Sequence, residues 1–231
     1  MKRIYLSLLL FFGIFVSFGQ TVIISEYVDA CSGTTPKAIE LWNPTAVNID
    51  MSVTNIIIEI QTNANSAWTA VTTISSGTLE AGGVIVVSAT TDVGINSSTC
   101  ATKQNTTLSH NGDDAFRVTL GSTVTDIFGD PSTIDPGAGW SGSGVVTNGG
   151  TLELNSGITT GEPAGWTDPS VRFQLVGSCA PSPTITGFGF PPGGCPVTGS
   201  PTILASPAAF SSLDYVFGSG PSAIDSVVIS G

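Results

Sequence analysis

From residue 21 onward the chain reads as short apolar bursts separated by turn residues, with no stretch that keeps a helical face. Thr21–Val28 (TVIISEYV) is the first burst. Lys37–Asn43 (KAIELWN) alternates, putting Ile39 and Leu41 on one side and Ala38, Glu40 and Trp42 on the other. Asn43-Pro44 ends it, because proline has no N–H to continue a ladder. Asn55–Thr62 (NIIIEIQT) places Ile56, Ile58 and Ile60 on a common face. Trp68–Ile74 follows, and the Ala81-Gly82-Gly83 turn leads into Val84–Ser88 (VIVVS). Thr90–Gln104 is polar and irregular. Asn111-Gly112 marks a tight turn before Ala115–Leu120, and Gly121-Ser122 is a hairpin turn into Thr123–Phe128. Thr151–Leu154 is the last burst of this series, giving about eight predicted strands. Such alternation requires each sheet to cover the apolar face of another, which predicts an all-β, two-layer sandwich.

The ends of the chain read differently. Lys2 and Arg3 precede an almost continuous apolar run from Ile4 to Phe18, closed by Ser17-Phe18-Gly19. This has the form of a secretory leader over residues 1–19, too short to span a bilayer. No later segment is apolar enough to cross a membrane as a helix, so the mature chain is expected to be secreted or displayed at the cell surface. The expected sandwich occupies residues 20–178. Residues 179–200 are rich in proline and glycine and read as a linker. Residues 201–231 carry apolar bursts around Ile203, Phe210, Tyr215 and Val227, the opening of a second, incomplete β domain. Two or three strands cannot bury a core alone, so the sequence is expected to be a fragment of a longer protein.

Four cysteines on a secretory route imply disulfides: Cys31, Cys100, Cys179 and Cys195. The favoured pairing is Cys31–Cys100, tying two long loops, with Cys179–Cys195 closing the Pro/Gly-rich linker on itself. Zinc is disfavoured, because no C-x-x-C is present and His110 is the sole histidine.

Charge narrows the partners. Once Lys2 and Arg3 leave with the leader, Lys37, Lys103, Arg117 and Arg172 stand against 17 acids. Nucleic acid and anionic lipid both need clustered bases, so neither is an expected partner.

Candidate chemistry is sparse. Ser109, His110 and Asp113 or Asp114 are too close in sequence to assemble a nucleophile, base and orienting acid, and no Gly-x-Ser-x-Gly elbow exists. His110 reads as flanking a turn, and Asp113-Asp114 as turn carboxylates that cap backbone donors. No catalytic residue and no cofactor is expected. Asp130 and Asp135, in a Gly/Pro-rich loop, are the candidates for calcium. Trp140 and Trp166 sit among Gly, Pro and Asp and are the candidates for stacking on a ligand such as a sugar.

Ile24-Ser25-Glu26-Tyr27, Lys37–Thr45 (KAIELWNPT), Ile49–Ser52, Thr78–Gly82 with Val84–Ser88, Leu108–Ala115 (LSHNGDDA), Val124–Gly129 and Asp135–Trp140 follow one another in order. This series resembles the bacterial lamin-tail domain family, over roughly Thr21 to Val176. Residues 201–231 resemble the start of an immunoglobulin-like repeat. The resemblance implies an immunoglobulin-like sandwich acting as a non-catalytic binding or tethering module of a secreted or surface protein. Its expected partner is a protein or glycan of the cell envelope. The alternatives are an N-terminal accessory region of a larger secreted hydrolase, a nuclease or phosphatase, or a calcium-stabilised carbohydrate-binding or adhesin module. The basic residues that often follow the family's last tryptophan are absent, which removes support for nucleic-acid binding.

Overall fold

The computed structural model describes residues 19–29, 36–90, 100–178 and 187–195. The apolar leader, Cys31, Cys179 and the whole 201–231 segment lie outside the described residues. The chain divides into a unit of residues 1–196 and a second unit of 197–231.

Fourteen short strands run in chain order. They are β1 (Ile23–Val28), β2 (Ala38–Trp42), β3 (Ile49–Asp50), β4 (Ile56–Gln61), β5 (Thr69–Ile74), β6 (Thr78–Leu79) and β7 (Val84–Ser88). The second half holds β8 (Ala101–Asn105), β9 (Ala115–Leu120), β10 (Thr123–Phe128), β11 (Ser141–Gly142), β12 (Val145–Val146), β13 (Gly150–Leu154) and β14 (Phe173–Ser178). A six-stranded sheet has the order β14-β13-β1-β2-β7-β8, and a four-stranded sheet the order β10-β9-β4-β5. Two-residue ribbons, β3 with β6 and β11 with β12, complete the pairing. The fold is all-β, an immunoglobulin-like sandwich.

The two sheets differ in what covers their outer faces. In β4, Ile56, Ile58 and Ile60 are buried while Ile57 and Glu59 are half-buried, the predicted alternation for a strand wet on one side. On that wet face Arg117 of β9 pairs with Glu59 at 2.6 Å and lies 4.6 Å over the Trp68 ring. In contrast, every residue of β1, β2 and β7 is buried. Tyr27, Ile39, Leu41 and Ile85 fill the space between the sheets with Ile58, Phe116 and Val118. On the opposite face, Val28, Ala38 and Val86 form a second apolar cluster around Phe188. Ala38 and Glu40 lie on the side opposite Ile39 and Leu41, as read, and both are buried because Phe188 packs on Ala38 and Gly189 bonds Glu40.

That finding corrects the linker reading of the described part of 179–200. Phe188 is 1% exposed and the Gly189 amide donates to Glu40 at 2.6 Å, so the segment is docked on the sheet. The disulfide pairing changes with it. Cys100 is bonded to Cys195, with Cα atoms 5.5 Å apart across 95 residues. Cys100 is therefore not joined to Cys31, nor Cys195 to Cys179. The physical reason is that β8 adds to the sheet edge beside β7 and brings Cys100, at its start, alongside the docked segment. β8 itself falls within the stretch read as irregular. It pairs in parallel with β7, from Val84↔Ala101 to Ser88↔Asn105, through backbone groups that leave no mark on its polar side chains.

Candidate functional site

At one end of the sandwich the turn after residue 108 folds its polar groups inward. His110 is fully buried, packed against Tyr27 at 4.9 Å and Phe116 at 5.1 Å between ring centres. Its Nε2 meets the Val28 carbonyl at 2.8 Å, which makes Nε2 the protonated nitrogen of a neutral ring. Burial pushes its pKa down to about 4, with the Lys37 charge acting in the same direction. Lys37 donates to the His110 carbonyl and to Asp29 at 2.8 Å, and Asp29 also accepts the Gly149 amide at 2.9 Å. His110 flanks the turn as read, and its imidazole is part of the core, its hydrogen bond tying the turn to β1.

Asp114 accepts the amides of Asn63 at 2.9 Å and Asn111 at 3.2 Å, the capping role expected for this pair. Burial raises the carboxyl pKa of both Asp113 and Asp114. Asp29, Lys37, His110 and Asp114 are each hydrogen-bonded to backbone groups or to one another.

The calcium candidates are each engaged in their own local turns. Asp130 accepts the Ser132 amide and hydroxyl at 2.9 and 2.7 Å, and Asp135 accepts the Gly137 amide at 2.7 Å. Among the described residues no group of three or more His, Cys, Asp or Glu side chains could hold a metal ion.

The ligand-stacking candidates are interior residues. Trp140 and Trp166 are 6% and 7% exposed and meet edge to face at 5.9 Å. Trp166 also packs on Phe128 at 4.9 Å, and Phe128 stacks on Tyr27 at 4.3 Å. This aromatic chain seals the sandwich between β10, β1 and the loop carrying Trp166. Trp166 nevertheless borders one of the clefts around the Asn155–Thr160 loop. The loop composition around the two indoles invited an exposed reading, but Gly129 at positive φ leaves room for the Trp140 ring directly against its backbone.

Three clefts open around the loop from Asn155 to Thr160. All three clefts touch Thr159. One, of about 470 Å³, is bordered by Glu162, Trp166 and Arg172. A second, of about 350 Å³, lies between Trp42, Glu153, Gln174 and the Pro192-Gly193 turn. A third, of about 560 Å³, is bordered by Thr21 and residues 44–47. Glu153 and Gln174 are hydrogen-bonded at 3.2 Å on neighbouring strands. Trp166, a ligand candidate from the sequence, borders the first cleft; Glu153 and Gln174 come together only through the pairing of β13 with β14.

No family model and no curated protein matches this chain. The site must therefore be judged on its own chemistry. The clefts offer hydroxyl, amide and carboxyl groups beside Trp42 and Trp166, with Arg172 as the one cationic side chain among their lining residues. Arg172 is itself 3.6 Å from Asp126 and donates to the Thr160 carbonyl at 3.0 Å. Such a lining is suited to neutral hydroxylated or amide-bearing ligands and is unsuited to polyanions.

Proposed function

We propose that this protein is a non-catalytic, extracellular binding or tethering module of the lamin-tail type, whose partner is a protein or glycan of the cell envelope. The observation that carries the reading is the division of polar groups. Asp29, Lys37, His110 and Asp114 are held in structural contacts at one end, while the clefts around Asn155–Thr160 carry mostly neutral polar groups, with Glu153, Glu162 and Arg172. The ordered motif series from Ile24 to Trp140 supports the lamin-tail reading, as does the sandwich they fold into. The secretory form of residues 1–19 and the Cys100–Cys195 bond support export to an oxidising compartment. Among the described residues no helix is long and apolar enough to cross a membrane.

The experiment is retention on envelope material. Purified mature protein is passed over cell-wall glycan and over outer-surface protein fractions, alongside a variant with Thr159→Arg and Gln174→Arg. Retention that the paired substitution abolishes, in a variant of unchanged melting temperature, supports the reading. Equal retention of both proteins, or none on any fraction, removes it.

A further inference from the structure

One register row crosses the whole six-stranded sheet: Gln174, Glu153, Glu26, Glu40, Val86 and Lys103, on β14, β13, β1, β2, β7 and β8. Three carboxyl groups therefore stand on adjacent strands, an arrangement that costs stability when the groups are charged. Residues 187–195 lie on this row. Phe188 fills the apolar hollow formed by Val28, Ala38 and Val86. The Gly189 amide donates to Oε2 of Glu40 at 2.6 Å, and the Ser25 hydroxyl donates to Oε1 at 2.7 Å. Gly187, at φ +105°, sits so close to Glu26 that a Cβ would overlap its carboxyl group. Oε2 of Glu26 is buried with no hydrogen-bond partner.

The covering segment, GFGFPPGGC, contains no charged residue. It supplies one amide to Glu40 and nothing to the free oxygen of Glu26, so it confines the row without neutralising it. Its covalent hold among the described residues is Cys195, which is exposed, bonded to the half-buried Cys100. The bond is thus within reach of a dissolved thiol.

We propose that residues 187–195 are a releasable cover, held over the Glu153–Glu26–Glu40 row by the Cys100–Cys195 bond and freed when that bond is reduced. The reductant is a dithiol. One of its thiolates attacks a sulfur of the pair, the second resolves the mixed disulfide, and the products are two cysteine thiols and the oxidised dithiol. Release exposes the Val28–Ala38–Val86 hollow, the Phe188 ring and the carboxyl row together. It also removes Pro192 and Gly193 from the cleft beside Trp42 and Glu153.

Proton release acts in the same direction. Burial, then the neighbouring Glu40 and Glu153, pushes the Glu26 pKa up to about 10, and burial pushes Glu40 up to about 8. The seated cover therefore favours protonated acids, and uncovering lets them ionise. The charged groups around the row are Glu153 on β13 and Lys103 on β8, with the Asp29–Lys37 pair beyond the end of β1. The cover adds none.

Hydrogen exchange tests this on the full chain, read at the Gly189 amide and at the β2 amides. Three samples are compared: oxidised protein, protein treated with a dithiol, and a Cys100→Ser, Cys195→Ser double variant. The double variant isolates this bond from Cys31 and Cys179; if it does not fold, the dithiol-treated wild type gives the reading. The expected result is loss of Gly189 protection by about tenfold or more with β2 protection unchanged. In the reduced wild type the loss deepens from pH 6 to 9 after correction for intrinsic exchange, and Glu26→Gln weakens that pH dependence. Equal Gly189 protection in oxidised and reduced protein overturns the proposal. So does loss of Gly189 and β2 protection in step, which is global unfolding.

Discussion

The Asp126 carboxylate of β10 accepts the Ile24 amide of β1 at 2.8 Å, joining the two sheets through one buried side chain. Its other oxygen accepts the Glu162 amide at 2.7 Å and lies 3.6 Å from Arg172. One acid thus fixes the sheet-to-sheet contact and the loop that borders the cleft of about 470 Å³. Asp126→Ala leaves two amides and a guanidinium without their acceptor inside the protein. Loss of ~3–5 kcal/mol of stability is expected, from the cost of stranding buried donors and a charge. Urea unfolding of the variant measures it, and a loss under 1 kcal/mol, the ordinary size of an exposed ion pair, rejects the staple role.

The acid–base balance of the interior sets a pH optimum. Glu26 and Glu40 are raised to about 10 and about 8 from 4.5, so the folded state holds their protons where the unfolded chain has lost them. Their contribution is complete below pH 4.5 and declines as pH rises through 8 to 10. His110 is lowered to about 4 from 6.5, so its contribution is complete above 6.5 and is lost as pH falls toward 4. Between pH 6.5 and 8 the histidine no longer offsets the acids, and the decline is steepest there, about 1.4 kcal/mol per pH unit for each proton. The unfolding midpoint should therefore peak on the acid side of neutrality, and Glu26→Gln should flatten the fall above pH 6.5. A midpoint that rises from pH 5 to 8 contradicts this assignment.

Much of the sandwich can be read from the chain because it lies in side-chain periodicity. Ile56, Ile58 and Ile60 alternate with Ile57 and Glu59, and β4 lies where that pattern places it. β9 and β10, from Ala115 to Leu120 and Thr123 to Phe128, match the expected hairpin residue for residue. β8 and β14 escape because their side chains are mostly half-buried or exposed, without the buried alternation of the inner strands, and their pairing belongs to the backbone. The clefts and the carboxyl row escape for a related reason. Glu26, Glu40 and Glu153 are far apart in sequence, and only the register of three strands makes them neighbours. The continuous burial of VIVVS was visible as an unbroken apolar run, the one local sign that this sheet is covered on both faces. Trp140 and Trp166 misled because glycine-rich loops generally lie on the surface; here glycines let rings approach the backbone.

That close approach is itself testable. Gly129 has φ +90°, and a Cβ there would come within 2.5 Å of the Trp140 ring. Gly129→Ala must both strain the backbone and push the indole out of its contact with Trp166. A loss of about 2–4 kcal/mol is expected, with a shift in tryptophan fluorescence toward that of exposed indole. Trp166→Ala should cost about 3–5 kcal/mol by cavity formation. If Trp166→Ala instead keeps wild-type stability while weakening retention on envelope glycan, the ring is a binding surface and not part of the seal.

Phe188 separates the stability of the cover from that of the sandwich. Phe116 and Phe188 are both fully buried, but Phe116 belongs to the cluster between the sheets, and Phe188 to a small cluster with Val28, Ala38 and Val86. Truncating Phe116 opens a cavity that only global unfolding relieves, so Phe116→Ala should show the full cost of about 3–5 kcal/mol in urea. For Phe188→Ala the chain has another option: the segment can lift while the ten strands of the two large sheets stay paired. The global midpoint is then limited by the free energy of that local opening, which is smaller than the cavity cost. The expected pattern is a modest shift in urea together with faster protease cleavage near residues 187–195. Equal global losses for the two phenylalanines, with no new cleavage there, would mean that the segment unfolds only with the domain.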